Sequence, residues 1–347
     1  MIVYYHPGHT YNLDEMVEAL EGGRRWYSEW FAPYPWRDLR LSEFPALAQY
    51  AQAPPTNISF SEGIGFLTLS QPKANAAFWV TAHETAHQWW GNMLTPGRGP
   101  GGDVLSEGMA HFSTILLTEQ VKGLEQRLAF CKQIENRYAN TRQADSERPL
   151  TRIDGARKGD AQIIYDKGGF AAWMMLQLIG REHMLAGCRE FIAAWRDSVD
   201  HPVMQDWLAA MRMHAPDTTV YDAFVKQWYW DVVVPEYRFR DARATKQGGV
   251  WEVRAKVMNA GTGVMPVTIA AVRGERFPDP KTRGEAWRES RAVVTLGPKQ
   301  EREVVIRCGF EPERLIADPD AQVLQLERSK ATAKVNVAKG AGPLVAG

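Results

Sequence analysis

Residues 83 to 87 read HETAH, two histidines four apart with a glutamate directly after the first. On an α-helix, positions i and i+4 lie one above the other, so His83 and His87 project from one face and both rings can reach a single ion. Neutral imidazole nitrogen suits zinc, whose catalytic sites take three protein ligands and keep a position open for water. Glu84 lies beside the first ligand, where its carboxylate can take a proton from that water. The same stretch would also serve as a buried helix, because Trp79, Val80, Ala86 and Trp90 share or flank the histidine face. A third ligand decides between the two.

That ligand has to come from a following element. The GRGPGG segment at 97–102 is a flexible connection, and DVLSEGMAHF then opens a helix with Asp103 as its N-cap. Glu107 lies in the first turns of that helix, and His111 lies one turn further along the same face. Either can complete the set. Asn92 is expected to help end the helix that carries the histidines.

The elements that must position these residues begin with a strand at IVYY, residues 2–5, and a helix whose capping box is Asn12 with Glu15. Leu13, Met16, Val17, Leu20 and Trp30 form its apolar face. Strands are expected in DLRLSEF and GFLTL, then helices near 75–91, 104–120, 123–140, 163–179, 182–196, 204–213 and 219–229. Beyond Trp230 the texture changes to short alternating or β-branched runs such as WEVRAKVMNAG and REVVIRCG, each ended by glycine. This is the pattern of a small β-sandwich over 232–335. The final residues, 336–347, read as a flexible tail.

Composition narrows the function classes. The chain has 347 residues, 45% hydrophobic and 24% charged, with Lys plus Arg and Asp plus Glu both at 41. Without a basic surplus there is no electrostatic footprint for nucleic acid. Cys131, Cys188 and Cys308 show no paired spacing, and the first two keep step with apolar helix positions, so a reducing compartment is expected. Neither a signal peptide nor a transmembrane segment is legible. His6 and His9 flank Pro-Gly and read as a polar turn rather than a second metal site, and QWYWD at 227–231 reads as packing.

HETAHQWWGN followed by LSEG resembles the zinc aminopeptidase (gluzincin) family that includes aminopeptidase N and leukotriene-A hydrolase. The resemblance implies an α+β fold with a thermolysin-like, mainly helical catalytic domain over 1–231, and one zinc ion per chain held by His83, His87 and Glu107. It leaves His111 to packing or to a place behind the ligands. The family commonly has one residue fewer between the second histidine and the glutamate, an excess assigned to the glycine-rich loop. IIYDKGGFAAWMM is similar to the family's tyrosine motif, which implies that Tyr165 stabilises an oxyanion, that Lys167 fixes the local backbone, and that Gly168 and Gly169 allow close helix packing. SEGIG stands near the position of the exopeptidase signature Gly-x-Met-Glu-Asn, so Glu62 is the counterpart of the glutamate that binds a free α-amine, while the asparagine has none.

The resemblance thus implies a peptidase acting on peptide substrates, with aminopeptidase specificity left open by the degraded signature. A zinc endopeptidase or other amide hydrolase, and a non-catalytic scaffold retaining the fold, are the alternatives. The combination of YPWRDLRLSEFP, ISFSEGIGF, HQWWG and LSEG most resembles a bacterial branch in which such a domain is joined to a transporter-permease-like membrane segment. This implies a membrane-protein partner or an N-terminal domain missing from the chain, and a location that is cytoplasmic or membrane-associated through the partner.

Overall fold

In a computed structural model the chain forms two compact units, Met1–Val232 and Val233–Gly347, and residues 1–45, 50–71, 74–279, 281 and 285–337 are described. The first unit opens with β1 (Ile2–Tyr4), α1 (Leu13–Trp30), β2 (Arg40–Phe44), β3 (Ala51–Gln52) and β4 (Asn57–Ser61). The strands make one sheet in the order β1-β2-β4-β3, parallel except for β3, which pairs antiparallel to β4 as an edge strand. Leu41, Ile58 and Phe60 turn one face of the sheet onto Met16 and Leu20 of α1, with Phe66 and Ala77 closing the cluster. Burial of this apolar layer fixes the sheet against the helix.

Two expectations for this region are corrected. Asn12 does not form a capping box: it sits in the left-handed region at φ 55°, and its amide donates to the carbonyls of Thr68, at 2.8 Å, and Gly65. Its Oδ1 accepts from the Ser70 amide at 2.9 Å, so the side chain ties the start of α1 to the 65–70 loop, where a cap would satisfy only helix amides. GFLTL is not a strand. Pairing ends at Ser61, and a single turn, α2 (Glu62–Gly65), follows; a Cβ on Gly65 would lie 2.7 Å from Met16, so the backbone there is pressed onto the core.

The rest of the unit is helical: α3 (Ala76–Ala86), a π-helical turn Val104–Gly108, α4 (Met109–Thr141), α5 (Ala161–Ile179), α6 (Arg181–Trp195), α7 (Met204–Met213) and α8 (Thr218–Trp228). α4 is broken at Gly123, whose φ of 81° and ψ of −178° are not helical. A glycine tolerates that conformation where other residues do not. Arg137 lies 26 residues beyond His111 yet hydrogen-bonds it, whereas a straight helix would separate them by roughly 39 Å. The chain therefore doubles back at Gly123. Asp103 caps nothing; its carboxylate accepts from the Gly155 amide at 3.1 Å.

The second unit holds β5 (Tyr237–Gln247), β6 (Val250–Asn259), β7 (Pro266–Arg273), β8 (Arg288–Thr295), β9 (Glu301–Cys308), β10 (Arg314–Ala317), β11 (Thr332–Lys334) and β12 (Asn336–Val337). They form two four-stranded sheets, ordered β11-β10-β7-β8 and β12-β5-β6-β9. Along β6, Val253, Ala255 and Val257 are buried while Arg254 and Lys256 between them are not, the alternation of a strand with one wet face. Asn336 and Val337, expected in the tail, pair in parallel with Arg243 and Ala244 of β5; the remainder of the tail lies outside the described residues. Cys131, Cys188 and Cys308 are buried and form no disulfide. Among the described residues, no helix is long and apolar enough to cross a membrane.

Candidate active site

The two histidines are aimed by the way α3 ends. The helix starts at Asn75, whose Oδ1 accepts from the Phe78 amide at 3.1 Å, and His83 and Glu84 occupy its last turns, both buried. His87 follows as the C-terminal cap, and the chain turns sharply to Gly91 at φ 127°, where a Cβ would stand 3.1 Å from Ser106 Oγ. That turn brings the Trp90 carbonyl to 2.9 Å from His87 Nδ1, so the ring donates there and points Nε2 inward. The Asn92 side chain, expected to end this helix, donates instead to the Ala53 carbonyl at 2.7 Å.

Glu107 sits in the π-helical turn Val104–Gly108 rather than at the start of a regular helix. A π turn is wider than an α turn, and this sets the direction in which the Glu107 side chain leaves the backbone. His83 Nε2, His87 Nε2 and Glu107 Oε2 are each 3.1 Å from the other two. Donors bonded to a tetrahedral zinc at about 2.0 Å stand roughly 3.3 Å apart, so this triangle fits the ion. His111 does not compete for it. Its Nδ1 lies 2.8 Å from His83 Nδ1, on the far side of the His83 ring.

Electrostatics agree with a cation-binding triangle. Burial alone would raise Glu107, but hydrogen bonds from His83 and His87 outweigh it and hold the carboxyl far below the ordinary carboxylate range. Burial alone would lower His87, yet Glu107 and then Glu84 lift it to about 9. A carboxylate held ionised beside the imidazole that partners it places negative charge where a metal ion would be bound. Glu84 is shifted the other way: burial raises it, with His83 and His87 only partly opposing. A carboxyl displaced toward neutrality is suited to taking and returning a proton.

Tyr165 reaches the same place from α5. A Cβ on Gly169 would be 2.5 Å from the His111 Cβ, so only glycine permits α5 to lie this close to α4. The Tyr165 ring stacks on His83, centroids 5.6 Å apart, and meets His111 edge-on at 5.4 Å. Burial, then the Glu107 charge, pushes the phenol above its ordinary range, so it stays protonated as a donor. Lys167 is held away from the cavity. Its Nζ is 2.7 Å from Glu147 Oε1 with both side chains fully buried, and Glu147 also accepts from Tyr138 at 2.8 Å and Arg142 at 2.7 Å.

A cavity of about 360 Å³ opens over His83, Glu84 and Tyr165. Trp79, Val80 and Phe130 give it an apolar wall, Ala51 of β3 borders it, and Arg137 adds a cation. Arg137 and Phe130 were not legible as site residues, since only the reversal at Gly123 brings them back. Glu62 does not line the cavity, although Ile64 does. Glu62 Oε2 instead lies 4.0 Å from His9 Nδ1, which is 2.5 Å from Glu43 Oε1, and these three form a second group of ligand-type atoms. His6 and His9 do belong to a turn, with the His9 amide donating to the His6 carbonyl at 2.8 Å.

A model of the peptidase family M1 domain matches residues 13–228, which include every residue of this site. The chain belongs to peptidase family M1. Zinc is the cofactor of M1 metallopeptidases, and the His83, His87 and Glu107 triangle fits it. Among solved structures the fold is similar to aminopeptidase A from Legionella pneumophila in complex with aspartic acid, at TM-score 0.63 and 17% identity over 98% of this chain and 37% of that one. It is also similar to an M1 zinc metallopeptidase from Deinococcus radiodurans, at TM-score 0.50 and 19% identity over 65% of this chain and 46% of that one. The chain therefore spans less than half the length of either of these two proteins. No curated protein matches it.

Proposed function

We propose that the helical unit, read as a thermolysin-like domain followed by a β-sandwich, hydrolyses peptide bonds with zinc held by His83, His87 and Glu107. The observation that carries this reading is that Glu84 and Tyr165 open onto one cavity beside the three ligand atoms. Zinc, when bound, polarises a carbonyl and lowers the pKa of water from about 15.7 toward roughly 7. Glu84 accepts the proton of the attacking water on its carboxylate and passes it to the departing amine nitrogen. Tyr165 donates its phenolic hydrogen to the oxygen that gains charge. The apolar wall of Trp79, Val80 and Phe130 keeps bulk water away and seats a substrate side chain.

Which peptides are cut depends on the amine. Glu62 is the residue proposed to bind a free α-amine, and its pairing with Glu43 around His9 gives it a partner carboxylate for a cation. A second reading, cleavage with relaxed amine recognition, is favoured by Glu62 not lining the cavity, where Glu84 supplies the carboxylate. Hydrolysis of one peptide in free-amine and N-acetylated forms separates the two. The aminopeptidase reading expects cleavage of the free-amine form only, and equal cleavage of both would rule it out. Glu84→Gln should lower turnover by about 10³-fold while zinc is retained; a Glu84→Gln enzyme with parental activity removes the proposed mechanism.

A further inference from the structure

Behind the zinc triangle runs a chain of hydrogen bonds whose directions are fixed by chemistry. Arginine carries only donors. Arg137 Nη2 lies 2.7 Å from His111 Nε2, so that nitrogen accepts and the His111 proton is on Nδ1. An imidazole that accepts at Nε2 carries a single proton, so His111 is neutral in this arrangement. Its Nδ1–H faces His83 Nδ1 at 2.8 Å, which must then accept. The His83 proton is left on Nε2, facing Glu107 Oε2 at 3.1 Å. Every donor in this series points toward the triangle.

An ion held by His83 needs the Nε2 lone pair. The His83 proton then belongs on Nδ1, His111 Nδ1 must accept it, and the His111 proton moves to Nε2, where it meets the Arg137 donor. Two donors cannot share that contact. A replacement acceptor is at hand: Asp166 Oδ1 lies 3.8 Å from His111 Nε2, on a fully buried side chain. Arg137 grips both Asp166 oxygens, with Nε at 3.0 and 2.9 Å and Nη2 also on Oδ1, so it can stay with the carboxylate while giving up the imidazole. Gln162 Nε2, at 3.0 Å, holds the other carboxylate oxygen.

We propose that Arg137 and Asp166 compete for His111 Nε2, and that the ion decides between them: the metal-free chain runs Arg137 to His111 to His83, and the loaded chain runs His83 to His111 to Asp166. Arg137 and Asp166 are positioning residues in this scheme, acting on the ion only through His111. The exchange couples zinc occupancy to the cavity, because Arg137 lines it and Asp166 directly follows Tyr165 on α5. A carboxylate behind a ligand histidine strengthens metal binding, whereas a cation behind it opposes binding. The inference rests on the reading of His83, His87 and Glu107 as zinc ligands.

The test follows imidazole tautomers by long-range nitrogen–proton NMR on the whole chain labelled with ¹⁵N-histidine, before and after one equivalent of zinc. The expected result is that His111 changes from the Nδ1–H to the Nε2–H form as zinc binds, and no substitution is needed to see it. A His111 tautomer unchanged by bound zinc overturns the proposal and leaves the zinc site standing, while failure of zinc to bind stoichiometrically overturns both. In chelator competition, Arg137→Gln, whose amide can donate or accept, should bind zinc about tenfold more tightly than the parent. A role confined to bracing Asp166 gives unchanged or weaker binding, and that result also overturns the proposal.

Discussion

The helical unit gathers charged residues in its core to an extent that the β unit does not. Besides exposed pairs such as Arg212 with Asp222, the helical unit has an inner set that face one another: Glu84, Glu107 and the histidines around one point, Asp166 against Arg137, and Lys167 against Glu147 with both side chains inaccessible. In the β unit, Asp318 is buried against Arg328, but most pairs are partly exposed ones such as Arg254 with Glu252 and Glu303, or Arg273 with Glu285. Burying charge costs several kcal/mol per ion unless geometry compensates, so a cluster that persists in a core is held by the fold for a purpose. Exposed pairs contribute little and tolerate change. The contrast separates where chemistry resides from where charge maintains solubility.

Substitutions should divide along the same line. The largest effect is expected for Glu84→Gln, which removes the proton acceptor and should lower kcat by about 10³-fold with zinc content unchanged. Tyr165→Phe deletes one donor and should cost about 10²-fold in kcat with KM little altered, measured on the same peptide. A tyrosine role confined to packing predicts instead a stability change without a selective fall in kcat. Lys167→Met leaves Glu147 buried beside Tyr138 with Arg142 as its remaining cation, and urea unfolding should show a loss of about 3 kcal/mol.

The smallest effect is expected in the β unit. Asp320 is partly buried, which alone would raise its carboxyl, but the guanidiniums of Arg291 and Arg276 hold it below the ordinary range. A folded-state value below the unfolded one adds stability that is present above about pH 4 and lost as pH falls through the folded value. Asp320→Asn should therefore cost about 1 kcal/mol or less at neutral pH, flatten the acid limb of the stability curve, and leave peptide hydrolysis unchanged. A large loss of activity from this substitution would break the division between the units.

Legibility followed sequence distance. The HETAH spacing, the glutamate of LSEG and the tyrosine before Lys-Gly lead directly to residues that the fold gathers around His83, because helical periodicity dictates which side chains share a face. Periodicity is silent about which faces meet. Phe130 and Arg137 reach the site through the reversal at Gly123; the helices expected at 104–120 and 123–140 place a break there, but nothing in the spacing says that the second folds back on the first. The π-helical turn under Glu107 was likewise hidden, since its residues also fit an ordinary helix. Asn12 fitted a capping pattern locally but answers to carbonyls more than fifty residues away. The β unit was legible for a simpler reason: alternation along β6 and β9 requires only a strand with one dry face.

The central claim is that three side chains from α3 and the π turn hold one zinc ion. Metal analysis of the purified chain after zinc loading and dialysis tests it most directly, with His87→Ala and Glu107→Ala measured alongside. The expected result is one zinc per parent chain and much less than one in either variant, with both variants still folded. A parent that retains no zinc, or variants that retain a full equivalent, would contradict the account.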